Sequence, residues 1–231
     1  CLLYGGLGED KHLKNLVTVA SPIDLRDGKN VMTFASQALN VTARFVRKYS
    51  EFRLEKLKPD LMGIPGWLVS LGFKATAPVS SLTGYWDLIT KLGDRDFVEK
   101  QTTTLDYLNN MMLYPGGVVR DFMVQFTIDN RMAKGKVKIG NKTSQLGNID
   151  AALLVFAGET DHLVPPSMAK RSMDLVASQD KLFLRAPGGH MGVILGSQAR
   201  DNVWQISADW LRPRSAVQAS QPIKTAETIP A

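Results

Sequence analysis

Two short stretches of the chain are apolar at consecutive positions. One is Asn15-Leu16-Val17-Thr18-Val19-Ala20, closed by Ser21-Pro22; the other is Ala151-Ala152-Leu153-Leu154-Val155-Phe156-Ala157. Runs of this length, with no alternation, suit strands buried on both faces of a parallel sheet. Lys181 to Arg185 reads as a third strand. Helical patterns lie beside them. Residues 2–12 form one, with Gly8 near its C-terminal end. Ser167 to Ala177 forms another, with Ser167 as N-cap. Asp201 to Leu211 forms a third, carrying Val203, Trp204, Ile206, Ala208 and Trp210, and Pro213 ends it.

Residues 28–130 differ. They are helical in pattern, rich in Met, Trp, Tyr and Phe, and punctuated by Pro59, Pro65, Pro78 and Pro115. Strands alternate with helices on either side of them. An insertion of that length is far too long for an ordinary βα connection. The expected fold class is therefore α/β, a parallel sheet with flanking helices and a mainly helical cap insertion. The expected organisation is a helix and strand over 1–27, the cap over 28–130, the rest of the α/β core over 131–212 and a disordered tail over 213–231.

Two basic stretches suggest ligands. Asn40 to Leu57 carries Arg44, Arg47, Lys48, Arg53 and Lys56, and is expected to be a solvated helix face. Lys136-Val137-Lys138-Ile139 alternates with period two, like a hairpin or edge strand guarded by lysines. Nucleic-acid binding would want interleaved aromatics there, and none is present, so no nucleic acid is expected.

Composition narrows the classes. The 231 residues are 44% hydrophobic and 22% charged, which excludes a disordered chain or a collagen. One cysteine permits no intrachain disulfide and leans toward a reducing, cytoplasmic setting. Three histidines and that cysteine exclude a zinc-finger framework. The apolar run Ala151 to Gly158 is too short for a membrane span, so no transmembrane segment is expected. The net charge of +6 suits an anionic substrate or surface, and a solvated surface accounts for it equally well.

In open α/β sheets chemistry sits at the carboxyl ends of the strands. Asp161 follows one strand, in Gly158-Glu159-Thr160-Asp161-His162-Leu163-Val164-Pro165-Pro166. His190 follows the next, in Ala186-Pro187-Gly188-Gly189-His190-Met191-Gly192. Adjacent parallel strands open their loops side by side, so carboxylate and imidazole can meet. The carboxylate would accept the Nδ1–H, fix the tautomer and leave Nε2 as a general base. Asp before His, after successive strands, is the order of an α/β-hydrolase triad whose nucleophile comes first. A turn aspartate and a loop histidine are the plain structural alternative. His162 reads as a loop neighbour.

No nucleophile elbow is visible. An elbow needs small residues two positions before and after the nucleophile. Cys1 has nothing before it and Leu3 after it, and is expected to be a buried or half-buried helix residue. Ser21 precedes a proline, and Ser167 caps a helix. The opening Cys1-Leu2-Leu3-Tyr4 reads like the middle of a helix, so the chain is expected to be a fragment cut inside a larger domain.

At these residues the chain resembles the C-terminal half of poly(3-hydroxyalkanoate) synthases, most of all the shorter ones that work with a second subunit. The stretches that carry the resemblance are Leu2-Leu3-Tyr4, Lys14 to Thr18 with Ser21-Pro22-Ile23-Asp24, and Met62-Gly63-Ile64-Pro65-Gly66. Ala157 to Pro166 and Pro187 to Gly192 carry it more specifically. The resemblance covers residue 1 to about Leu211. It implies a Cys-His-Asp acyltransferase that polymerises (R)-3-hydroxyacyl groups from coenzyme A thioesters into a polyester. Asp161 and His190 match the family aspartate and histidine. The family cysteine, in a Gly-x-Cys-x-Gly-Gly elbow, falls upstream of Cys1. The implied partners are the hydroxyacyl-CoA, the polyester chain and either a second copy or a second synthase subunit. The implied setting is the cytoplasm, at the polyester granule surface, with neither cofactor nor metal. Two rivals stay open: an esterase or depolymerase with a serine nucleophile, and a non-catalytic partial product.

Overall fold

The computed structural model describes residues 1–76 and 78–215. In chain order the elements are α1 (Leu2–Gly5), β1 (Asn15–Val19), α2 (Val31–Tyr49), α3 (Gly66–Thr76), α4 (Pro78–Thr90), α5 (Arg95–Asn109) and α6 (Gly116–Asp121). There follow β2 (Lys136–Ile139), β3 (Lys142–Gln145), β4 (Ala152–Gly158), α7 (Pro166–Lys170), α8 (Ser172–Leu175), β5 (Lys181–Ala186), α9 (Gly192–Leu195) and α10 (Gln205–Arg214). A π-helical turn, Phe122–Ile128, prolongs α6, and another, Arg200–Trp204, leads into α10.

The sheet is parallel, in the order β1-β4-β5. β4 is central, and Leu153 to Ala157 have no solvent exposure at all. That is why they are apolar at every position rather than at alternate ones. Leu153, Val155 and Ala157 pack on one face with Leu16, Ile23, Leu25 and Met168. Leu154 and Phe156 pack on the other with Val193, Val203 and Trp210. Three parallel strands flanked by helices, with a mainly helical insertion after β1, make an α/β fold.

The alternating lysines form a hairpin. β2 and β3 pair antiparallel, with Val137 opposite Ser144. Lys136 and Lys138 are exposed while Val137 is buried. The hairpin docks on α1, where the Gln145 amide donates to the Gly6 carbonyl at 2.8 Å. A Cβ on Gly6 would collide with the Ser144 hydroxyl.

Several boundaries differ from expectation. The first helix is only Leu2–Gly5, because Gly5-Gly6 and the left-handed Gly8 break it, and the hairpin occupies its end. Cys1 is exposed at its N-cap rather than buried within the helix. α2 stops at Tyr49, so Arg53, Lys56 and Lys58 lie beyond it. Arg47 is not merely solvated. It bonds Asp129 at 2.8 Å and Glu55 at 2.6 Å, and the Asp129 bond leads in raising its pKa above the ordinary range. Pro213 does not end the last helix. Arg214 bonds the Trp210 carbonyl at 2.9 Å and grips Asp180 through Nε at 2.7 Å, which fastens the final turn to the segment before β5. That bond holds the Asp180 carboxyl below the ordinary carboxylate range. Of the expected tail, residues 216–231 lie outside the described residues.

α3, α4 and α5 pack on one another, and the segments entering α3 and leaving α5 pair at a neck. There Ile64 and Tyr114 exchange two backbone hydrogen bonds, at 3.1 and 2.9 Å. Two glycines allow the strands of the neck to cross. A Cβ on Gly66 would strike the Met111 carbonyl, and one on Gly116 the Pro59 carbonyl. Gly72, inside α3, has open space around it.

These surroundings predict opposite outcomes for one substitution. Gly66→Ala and Gly116→Ala should each destabilise by about 1–3 kcal/mol, the usual range for overpacking. Gly72→Ala should stabilise α3 by about 0.5–1 kcal/mol, the helix-propensity difference. Urea midpoints of the three variants separate the cases, and equal shifts would contradict the crossing.

Candidate active site

β4 and β5 end side by side, with Gly158 opposite Ala186. Their ladder continues into the loops. The Glu159 amide donates to the Ala186 carbonyl at 2.9 Å, and the Thr160 amide to the Gly188 carbonyl at 3.2 Å. Gly158 has to be glycine for this approach, because a Cβ there would lie 2.6 Å from the Gly188 oxygen. Gly188 turns back over the sheet at φ 110°, in the region that favours glycine.

The structure brings together the two side chains that the sequence singles out. Asp161 Oδ2 lies 2.9 Å from His190 Nδ1. The Asp161 side chain is fully buried, and that of His190 is 29% exposed. The other carboxylate oxygen, Oδ1, accepts from the Leu163 amide at 2.9 Å and from the Val164 amide at 2.7 Å. Asp161 is thus a turn aspartate and an imidazole partner at once. An ionised carboxylate only accepts, so Nδ1 carries the proton and Nε2 is the acceptor of the neutral ring.

The helix after Asp161 starts earlier than expected. Pro165 is the N-cap of α7, Pro166 is its first residue, and Ser167 lies inside the first turn without capping it. Proline suits that first position because its fixed φ is helical and no amide is wasted there. His162 is exposed. It lines the same cavity as His190, without bonding to Asp161.

That cavity measures about 500 Å³. Its floor includes Asp161, His190 and Met191. Its roof comes from the cap, with Phe73 on α3, Tyr85 on α4, and Leu105 and Leu108 on α5. Polar groups reach it as well, Lys74 and Gln101 among them. Lys74 Nζ bonds Asn109 at 2.6 Å. The cavity therefore offers an imidazole nitrogen at its floor and an apolar roof crossed by a few polar side chains. Sequence reading had no means of finding the roof residues, which are neither motif nor periodic outliers. Among the described residues no three His, Cys, Asp or Glu side chains converge as metal ligands. No described helix is long and apolar enough to cross a membrane.

The carboxylate's double use predicts that two substitutions part company. Asp161→Ala leaves the Leu163 and Val164 amides without an acceptor, and should cost about 1–3 kcal/mol. Asp161→Asn keeps an acceptor for them and should unfold close to wild type. Its amide, however, presents a donor to Nδ1 and should move the ring proton to Nε2. Long-range ¹H–¹⁵N spectra of the His190 ring read the tautomer. A ring that keeps its Nδ1 proton in Asp161→Asn contradicts the bond described here.

No family model matches the chain. Curated relatives do. The poly(3-hydroxyalkanoate) polymerase subunit PhaC of Thiocystis violacea is 31% identical over 217 residues, which are 93% of this chain and 57% of that protein. The PhaC of Allochromatium vinosum is 29% identical over 216 residues, 92% of this chain and 56% of that one. The PhaC of a Synechocystis species is 26% identical over 226 residues. The chain thus spans a little over half the length of these relatives. Among solved structures, a monoacylglycerol lipase of Paleococcus ferrophilus aligns with a TM-score of 0.45 at 16% identity, over 92% of this chain and 63% of that one. An esterase of Thermogutta terrifontis aligns with a TM-score of 0.37 at 14% identity, over 87% and 56%. Over nearly its whole length the chain is similar to part of the poly(3-hydroxyalkanoate) polymerase subunits.

Proposed function

We propose that this chain supplies the base and its orienting carboxylate to a Cys-His-Asp acyltransferase that builds a polyester from (R)-3-hydroxyacyl-CoA. The observation that carries the reading is the 2.9 Å contact between Asp161 and His190 at the floor of a cavity roofed by the cap. The nucleophilic cysteine is assigned to residues outside these 231, which span a little over half the length of the relatives. On this reading the enzyme works in the cytoplasm at the granule surface, with a second copy or a second subunit as partner.

The chemistry has two halves. In the first, His190 Nε2 takes the cysteine proton, and the thiolate attacks the thioester carbonyl carbon. The carbon–sulfur bond to CoA breaks, and the imidazolium returns its proton to the departing thiolate. An acyl-cysteine thioester remains. In the second half, Nε2 takes the proton of a 3-hydroxyl group, whose oxygen attacks the acyl-cysteine. An ester bond forms, and the cysteine leaves and is reprotonated. Asp161 holds the ring and stabilises the imidazolium in both halves. No cofactor enters either one. The apolar roof would take the acyl chain and exclude water from the acyl-enzyme.

The two halves ask different amounts of Asp161. A free thiol ionises near pH 8.5, about, far more readily than an alcohol. In the enzyme carrying its cysteine, His190→Ala should lower both halves by at least about 10²–10⁴-fold, the range for loss of a general base. Asp161→Asn should spare acylation more than elongation. Single-turnover CoA release from 3-hydroxybutyryl-CoA and polymer yield, on the same variant, measure the halves separately. Wild-type rates in His190→Ala would remove that residue from the site. The 231-residue chain alone should release no CoA, and turnover that Cys1→Ala abolishes would place the nucleophile at Cys1 instead.

A further inference from the structure

Asn30 stands at the start of the cap, and both ends of its amide are used. Oδ1 accepts from the Thr33 amide at 2.7 Å and so caps α2. Nδ2 donates to the Leu163 carbonyl at 3.1 Å, across 133 residues of sequence. Leu163 is also one of the two residues whose amides hold Asp161 Oδ1. A single side chain therefore joins the first cap helix to the turn that aims the carboxylate at His190. The preceding backbone lies along the same turn, with the Gly28 Cβ position 3.6 Å from Pro165.

The helix so joined is fixed along its length. Ser36 donates to the Thr127 carbonyl at 2.9 Å, Asn40 to the Ile128 carbonyl at 2.6 Å, and Arg47 to Asp129 at 2.8 Å. These three positions share one face of α2, and all three partners lie at the end of the π-helical turn that prolongs α6. Arg26, just before Asn30, donates to the Ile128 carbonyl as well, at 2.6 Å. α2 is thus a beam bolted to the exit of the cap at one side and to the Asp161 turn at its N-terminus.

We propose that Asn30 is a positioning residue that couples the cap to the Asp161–His190 pair. A displacement of α2 reaches the carboxylate through the Leu163 peptide, and the reverse holds equally. The proposal rests on the reading of Asp161 and His190 given under the proposed function. Only asparagine satisfies both ends. Aspartate and serine are equally good N-caps, but neither offers Leu163 the amide donor. Aspartate in addition sets an oxygen against the Leu163 carbonyl.

The test uses the ¹⁵N-labelled chain with Asn30→Asp, Asn30→Ser and Asn30→Ala. Amide exchange at Thr33 reports the cap, and exchange at Leu163 and Val164 reports the turn. The His190 ring signals report the pair itself. In Asn30→Asp and Asn30→Ser the thermal midpoint and Thr33 exchange should stay near wild type. Leu163 and Val164 should exchange about 5–10-fold faster, the factor for one neutral hydrogen bond, and the His190 ring signals should shift. Wild-type exchange and ring signals in those two variants would overturn the proposal. Changes confined to Asn30→Ala would also overturn it, because they would make Asn30 a helix cap and nothing more. If Asn30→Ala fails to fold, the other two variants still decide. Failure here with a dead His190→Ala enzyme removes only the role of Asn30. An active His190→Ala enzyme removes the proposed function and leaves the exchange result standing.

Discussion

The parallel register of β4 and β5 governs the geometry at the site. Gly158 stands opposite Ala186, and the loops beyond are still stitched by two backbone bonds. What fixes that register is the core, not the loops. Phe183 packs toward the face of Leu153 and Val155, while Leu184 packs toward the face of Leu154 and Phe156. A slip by one residue would exchange the two faces and put both side chains against the wrong layer. The separation of Asp161 from His190 is therefore set by hydrophobic packing well below either residue. The same reasoning explains the glycines at the crossing. Gly158 and Gly188 contribute no side chain because the backbones themselves are in contact there.

Asp161 combines two duties that are usually separable. A buried carboxylate without partners is costly. Here two backbone amides and the ring N–H occupy its oxygens, so the group that orients the histidine also closes the turn into α7. Structure and chemistry then constrain the same atoms. The orientation needs no separate support, but a change of side chain disturbs both at once. Asn30 extends that arrangement outward, since the turn is held from beyond by the first helix of the cap.

The parts legible in the sequence were those with a short period or a fixed place in the topology. The two apolar runs announced β1 and β4, and lysine alternation announced the β2–β3 hairpin. Asp161 and His190 were visible because polar residues followed two successive strands. Helix ends were less legible. Ser167 has the composition of an N-cap, yet Pro165-Pro166 starts α7 earlier because the Val164 amide is already taken by Asp161. Pro213 looked like a stop, but Arg214 clamps the turn from outside it. Asn30 carries the local signal of an N-cap, being a capping residue ahead of a helical pattern. Its second partner, Leu163, is invisible to any local reading. Gly66 and Gly116 each follow a proline, and only the crossing of two distant segments shows why each must lack a side chain.

The aromatic content of the cap shows a further limit of composition. Such content suits either the lining of an apolar channel or a packed core. The structure gives neither answer for most of these residues. Phe34, Phe45, Trp67 and Trp86 are all more than 60% exposed. The roof of the cavity depends on a small set, Phe73, Tyr85, Leu105 and Leu108, on three helices that pack mainly on each other. The segments flanking those helices pair at the Ile64–Tyr114 neck, and α2 is bolted to the core side at several points. The site is therefore unevenly supported. Its floor is set by the most buried strand in the molecule, and its roof by the cap helices. A displacement of α2 therefore bears on the Asp161–His190 pair through Asn30 and the Leu163 peptide.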